Sequence, residues 1–352
     1  MSGMLSWTLV EPNSKKLRGD IIMKLKKIGM IIMISGVLLA GCGRTEIEEA
    51  ERSNAITIKH AFGETVLDEI PERIASISWG NQDVALALGV VPVGVSTANY
   101  GVTDESGLLP WTAQAFESLG VPAPNLFQDT DSLDFEAINE ANPDVILAAY
   151  SGITQEEYDI LSQIAPVIAY PESAWQTSWR DQILLNAKGM GMEDKGIELV
   201  ANLEKTIEDK VAEYPQIHGK SAAFCYFNPS DLGKFYVYLP TDPRAAYLTD
   251  LGLIFPQSVL ELAESSDSFA LELSAENIDK LNDVDILVAY GNEALLEAMQ
   301  KDPILGTLPA IAAGSVALIE DGSNLAASCT PSALSIPATI DEYLLLISEV
   351  AE

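Results

Sequence analysis

The stretch Ile74-Ala75-Ser76-Ile77-Ser78-Trp79-Gly80-Asn81-Gln82-Asp83-Val84-Ala85-Leu86-Ala87-Leu88-Gly89-Val90-Val91-Pro92-Val93-Gly94-Val95 decides the fold. Ile74 to Ile77 is a short apolar run with the character of a buried strand. Ser78-Trp79-Gly80-Asn81 forms a turn, and Asp83 to Leu88 has helical spacing. Gly89 suits the left-handed position that ends a helix. Val90 to Val95 is then a second strand, so the unit reads strand, helix, parallel strand.

The same grammar extends in both directions. Upstream, Ile56-Thr57-Ile58 and Thr65-Val66-Leu67, separated by a segment with Gly63, predict a small hairpin. Downstream, Asp134 is placed to cap a helix from Phe135 to Ala141, and Asp144 leads into the strand Val145 to Ala149. The second half repeats the pattern. Ser221 to Phe227 is a strand, followed by a long polar-aromatic loop, a helix from Ala245 to Leu251, Gly252 in the role of Gly89, and a strand opening at Leu253-Ile254. Ser274 is placed to cap a helix holding Glu276 and Ile278, ahead of the strand Ile286 to Ala289.

Between the halves, Glu193 to Tyr214 carries Ile197, Val200, Leu203, Ile207 and Val211 at helical spacing, and Pro215 ends it. The predicted fold class is therefore α/β, with two parallel-sheet lobes joined by a single long helix and a ligand cleft between the lobes. The boundaries are 56–192 for the first lobe, 193–215 for the connecting helix and 216–352 for the second lobe.

The front of the chain differs in character. Lys24, Lys26 and Lys27 precede the apolar run Ile28 to Ala40, which ends in Gly41-Cys42. A basic head, an apolar core of roughly 7–15 residues and small residues at a cut site make a secretory signal. Leu39-Ala40-Gly41-Cys42 resembles a bacterial lipobox, which implies lipidation at Cys42. Residues 23–42 are then the signal, 1–22 an extension ahead of the natural-looking start Met23, and 43–55 a flexible tether.

The chain has 20 Lys and Arg against 52 Asp and Glu, a formal charge of −32. Six of the basic and two of the acidic side chains precede Cys42, which leaves 14 and 50 and a charge of −36 in the mature body. Such a field excludes nucleic-acid binding. His60 and His218 are the only histidines, so a three-histidine metal site is excluded. The phosphate-loop match at Gly219-Lys220-Ser221 fails because Tyr214 stands where its first glycine belongs. Gly189-Met190-Gly191 lacks its third glycine, and no Gly-x-Ser-x-Gly elbow occurs. An exported enzyme is the disfavoured alternative of another class.

Taken in order, the lipobox, Pro71-Glu72-Arg73-Ile74, Ala87-Leu88-Gly89-Val90-Val91-Pro92-Val93-Gly94, Phe135-Glu136…Asn142-Pro143-Asp144 and Leu161-Ser162-Gln163-Ile164-Ala165-Pro166-Val167 resemble one family. It comprises the substrate-binding lipoproteins of ABC importers for ferric siderophores and cobalamin, with the helical-backbone periplasmic binding protein fold. The resemblance covers residues 56–352 and is nearest the iron-siderophore branch. It implies capture of an intact ferric siderophore and delivery to an ABC permease and its ATPase. It further implies no cofactor, no protein atom on the iron, a monomer, and a lipid anchor on the outer face of the cell membrane or in the periplasm. Haem or cobalamin is the alternative cargo.

Ligands of open α/β sheets gather beyond the carboxyl ends of strands. Candidates there are Trp79, Asn81, Tyr150, Tyr226 and Tyr290, joined by Trp111, Trp179, Arg180 and Arg244. Aromatic walls suit a bulky ligand whose polar groups are committed to a metal. A guanidinium makes forked hydrogen bonds to chelate oxygens, and Arg244 in the Thr241-Asp242-Pro243-Arg244 loop is favoured over Arg180 and Lys234. The acidic field favours neutral or cationic chelates unless the cleft is locally basic. Glu136 and Glu276 hold equivalent first-turn positions in the two halves, and the resemblance implies that they dock onto basic residues of the permease. For Cys225 and Cys329 a bridge and a buried thiol both stay open.

Overall fold

The computed structural model describes residues 55–128, 132–264 and 266–351. The signal, Cys42 and the tether up to residue 54 lie outside the described residues. The hairpin forms as expected from β1 (Ile56–His60) and β2 (Gly63–Leu67), with Ile56 opposite Leu67 and His60 opposite Gly63. Ile58 and Leu67 bury its inner face. The backbone N–H of Ala61 donates to the Tyr170 carbonyl, and the Thr65 hydroxyl to that of Val167, fixing the hairpin to the first lobe.

Five short strands make the first sheet: β3 (Ile74–Ser76), β4 (Gly94–Ser96), β5 (Leu126–Phe127), β6 (Val145–Ala148) and β7 (Val167–Ala169). Their order is β5-β4-β3-β6-β7 and every pairing is parallel. Helices cover both faces, so β3, β4, β6 and β7 are buried along their whole length, as an all-parallel sheet requires. Asn81–Ala87 and Phe135–Glu140 form the expected helices, and Asp134 caps the latter by accepting from the Ala137 N–H at 3.0 Å. Gly94 has no room for a side chain, since a Cβ would come within 2.2 Å of the Phe127 ring.

The second sheet comprises β8 (Ala222–Asn228), β9 (Asp231–Tyr238), β10 (Ala270–Ser274), β11 (Ile286–Tyr290) and β12 (Val316–Ile319). Its order, β10-β9-β8-β11-β12, repeats that of the first sheet strand for strand. The direction does not repeat, because β9 is antiparallel to both β8 and β10. This corrects two expectations. The second sheet is mixed rather than parallel, and the supposed polar-aromatic loop after Phe227 is mostly strand β9. The tight Asn228-Pro229-Ser230-Asp231 turn sends the chain straight back, so no helix can intervene before the neighbouring strand. The helix that follows is Pro243–Asp250. Gly89 and Gly252 are both left-handed, with φ of 79° and 88°. Beyond Gly252 the expected strand shrinks to one parallel bridge between Ile254 and Ser221. Glu276 lies in a 3-10 helix, Ala275–Leu281, and the Ser274 side chain does not cap it.

The long connecting helix runs Glu193–Val211. Leu203 and Ile207 are buried as expected, but Ile197 points outward because Gly196 is the residue pressed against Ala187. The C-terminal helix Ser335–Glu349 packs along it. One buried apolar cluster therefore runs from Ile58 and Leu67 through Ile183, Leu203 and Ile207 to Phe224, Leu344 and Ile347. Among the described residues, no helix is long and apolar enough to cross a membrane.

Candidate ligand-binding site

The second lobe contributes a sheet face rather than strand ends. Alternation along β8 and β9 turns Phe227, Phe235 and Val237 into the lobe's own core. It turns Phe224, Tyr226, Tyr236 and Tyr238 to the other side. Tyr226 and Tyr236 are direct cross-strand partners with rings 6.2 Å apart. Phe224 packs edge-on to Tyr238 at 5.5 Å and to Tyr290 at 5.1 Å. Tyr236 and Tyr238 were missed in the sequence, although the period-two pattern Phe235-Tyr236-Val237-Tyr238 carries them.

Arg244 lies against this face, its guanidinium 4.0 Å from the Tyr238 ring centroid. Asp242 holds it from below, accepting from Nε at 2.8 Å and from Nη2 at 2.6 Å. The Asp242 side chain is fully buried, whereas that of Arg244 is 20% exposed, so the cation faces outward and its counter-ion does not. Burial alone would lower the Arg244 pKa; the adjacent carboxylate more than offsets it, and the value rises.

The first lobe meets this wall with Tyr150, two residues beyond the end of β6. Burial raises the Tyr150 pKa, and the charges of Asp242 and Arg244 act on it in opposite senses. Thr330 of the second lobe hydrogen-bonds to the same phenol. The Tyr150 ring packs edge-on to Trp175 at 5.3 Å. Tyr100 also crosses between lobes, donating from its hydroxyl to Asp321 at 2.6 Å while accepting from the Gly322 N–H at 3.1 Å. A hollow of about 470 Å³ lies beside it, lined by Asn99, Val102, Asp104, Glu105 and Gly322 among others. A second hollow, of about 520 Å³, sits against the long helix near Ile207 and His218, away from the tyrosine face.

Trp79 is half-buried, packed with Leu109, Trp111 and Ala327, and so touches both lobes. Its turn is strained: Ser78 has a φ of 63°, held by a hydrogen bond from its N–H to Ser96 Oγ. Trp111 is buried in the same group and donates to Asp83.

Three candidates do other work. Asn81 is fully buried. Its Nδ2 donates to the Ile77 and Tyr150 carbonyls, while its Oδ1 accepts from the Tyr150 N–H, Gln182 and Asn186. Every polar position is taken, so Asn81 ties the Trp79 turn to Tyr150 and has no group left for a ligand. Trp179 is buried and donates to Asp250 at 2.9 Å. Arg180 stacks on Trp179 and pairs with Glu204 and Asp250. Both are structural ties on the side of the long helix.

Glu136 and Glu276 are exposed. Each lies in the first turn of an element that follows a strand running with the parallel direction of its sheet, β5 in one case and β10 in the other. Cys225 and Cys329 are buried free thiols, so the bridge is not formed. Burial pushes Cys329 up to about 12. Among the described residues, no group of three or more His, Cys, Asp or Glu could hold a metal ion.

Two sheets in matching strand order, a rigid helical connection and an aromatic interface between the lobes define a solute-binding protein of the two-lobed type. A family model described as "Periplasmic binding protein" matches residues 74–321, and the chain belongs to that family. The family is one of substrate-binding proteins and not of enzymes. Similar curated proteins include the probable siderophore-binding lipoprotein YfiY of Bacillus subtilis (strain 168), 27% identical over 75% of this chain and 78% of the relative. The Fe(3+)-citrate-binding protein YfmC of the same organism is 25% identical over 83% and 88%. Among solved structures, PiaA of Streptococcus pneumoniae TIGR4 in complex with ferrichrome is 54% identical, with a TM-score of 0.82 over 84% of this chain and 98% of that one.

Proposed function

We propose that this chain is an extracytoplasmic binding lipoprotein that captures an intact ferric siderophore between its lobes and delivers it to an ABC permease and ATPase for iron uptake. The observation that carries this reading is the 54% identity to a protein solved with ferrichrome, over almost the whole of that protein. The tyrosine face supports it physically. A chelate has its polar groups turned onto the iron, so its periphery suits aromatic walls with a few oriented polar groups.

Tyr226, Tyr290 and Tyr150, together with Tyr238, form the wall in this reading. Trp79 and Trp111 shape its first-lobe side, and Arg244 donates to chelate oxygens. The ferric complex is cargo and not a cofactor. Glu136 and Glu276 dock to the permease, one per lobe, and Cys42 bears the lipid that keeps the monomeric protein at the outer face of the membrane.

Titration of the purified protein with ferrichrome should quench tryptophan fluorescence saturably, since Trp79, Trp111 and Trp175 lie at or near the wall. A panel of ferric hydroxamate, catecholate and citrate complexes that all fail to quench would overturn the reading, and haem or cobalamin would then be tested in their place.

A further inference from the structure

The arginines of the described chain are Arg73, Arg180 and Arg244. Arg73 donates to the Ala141 and Asn142 carbonyls beside β3, and Arg180 is committed to Glu204 and Asp250. Arg244 is thus the arginine left on the tyrosine face. Lys234 on β9, which lies 5.9 Å from the Tyr236 ring centroid, is held by Glu272 at 2.8 Å. Each cation of the wall therefore carries its own carboxylate, and Asp321 adds a further negative charge beside Tyr100 and Tyr226.

The pair of Arg244 and Asp242 is asymmetric. The guanidinium reaches the surface of the wall, while the carboxylate that cancels it is sealed beneath. A ligand can take hydrogen bonds from the exposed edge of Arg244 yet meets no net positive charge. A bare guanidinium would attract an anionic chelate strongly in a partly desolvated site, whereas a paired one offers donors alone.

We propose that Asp242 is a specificity-determining residue: by neutralising Arg244 from within the fold, it restricts the site to uncharged ferric chelates of the trihydroxamate class and rejects trianionic ones. This rests on the function proposed above. Asp242 does not touch the ligand in this account; it positions the Arg244 fork and sets its charge.

The test is a fluorescence titration of the full protein with two probes, ferrichrome and the trianionic iron complex of a hexadentate tris-catecholate. Wild type should favour ferrichrome. In Asp242→Asn the ratio of the two affinities should move toward the trianion by about tenfold or more, because a whole unit charge is uncovered within the site. In Arg244→Gln it should move the other way, and Asp242→Asn/Arg244→Gln should return it close to the wild-type ratio. Should Asp242→Asn fail to fold, Arg244→Gln reads the same quantity with the opposite sign. A merely structural role would lower both affinities together. Ratios within about twofold of wild type in folded single variants would overturn the proposal while leaving the siderophore function intact. Wild type that binds neither probe nor any ferric complex would overturn that function, and this inference with it.

Discussion

The Ser332 hydroxyl donates to the buried carboxylate of Asp83, joining residues 249 positions apart. Asp83 belongs to the helix after β3, and Ser332 precedes the C-terminal helix, so the bond ties one lobe to the other. Trp111 Nε1 and the Thr112 hydroxyl donate to the same carboxylate at 3.1 and 2.8 Å. Among the described residues, the side chains that act on Asp83 are Ser332, Thr112, Trp111 and Gln82, all uncharged.

A pH dependence follows from that environment. Burial pushes the Asp83 carboxyl up to about 6 from 3.8, and the hydrogen bonds only partly counter it. The native state then binds this proton more tightly than the unfolded chain does. Stability from this group is present in full below about pH 4 and is lost as pH rises to about 6 and beyond. Asp83→Asn should remove that component, which amounts to at most about 3 kcal/mol. Urea unfolding of both proteins at about pH 4.5 and about pH 7.5 checks it, and an unchanged pH difference in the variant is the contrary result.

Arg180→Ala should separate stability from binding. It removes two ion pairs and the stacking on Trp179, at a cost of about 1–2 kcal/mol. Ferrichrome affinity should stay within about twofold, because the guanidinium lies away from the tyrosine face. Denaturation and fluorescence titration read the two effects, and a large loss of affinity in a folded variant would return Arg180 to the site.

Gly152→Ala should disturb the site from behind. A Cβ there would lie 2.2 Å from Nε1 of Trp175, whose ring packs on Tyr150. Trp175 already sits in the left-handed region, with a φ of 62°, which leaves its backbone little room to yield. We expect a stability loss of about 1–3 kcal/mol and weaker quenching by ferrichrome. Thermal unfolding and titration of the variant test both.

Replacing Glu136 and Glu276 together by alanine should leave ferrichrome affinity unchanged and stop uptake in cells. Each carboxylate also stabilises the start of its element, by about 0.3–1 kcal/mol, so a small drop in melting temperature is expected. Loss of ligand affinity would argue against docking.

The parts of the fold governed by local chemistry were legible in the sequence. Gly89 and Gly252 announced helix ends because an L side chain resists their left-handed backbone, and Asp134 announced a cap. The reversal of β9 was hidden because Asp231 to Tyr238 mixes charged and aromatic residues, and its first four positions are not buried, so no unbroken apolar run marks the strand. With the strand unseen, Tyr236 and Tyr238 could not be placed on the tyrosine face. Arginines are few in the body of the chain, which drew notice to Arg180 and Arg244, and the loop before a helix favoured Arg244. The fold supplies the reason, since it brings Glu204 and Asp250 to the first and sets the second over Tyr238. Asn81 misled for a similar reason: a polar residue after a strand looks available until its five hydrogen bonds are seen.

The shared apolar cluster has a consequence for engineering. Each sheet buries one face in a cluster of its own lobe, but Ile183, Leu203, Ile207, Phe224 and Leu344 belong to a single buried interior shared by both, so the other face of each sheet has no cover of its own. Cutting the chain within the long helix should yield two fragments that aggregate rather than two half-proteins. A chimera that exchanges one lobe for a relative's would succeed only if the long helix and the C-terminal segment travelled with it. Heat should accordingly melt the whole body in one transition, in the manner of a single folding unit with two faces.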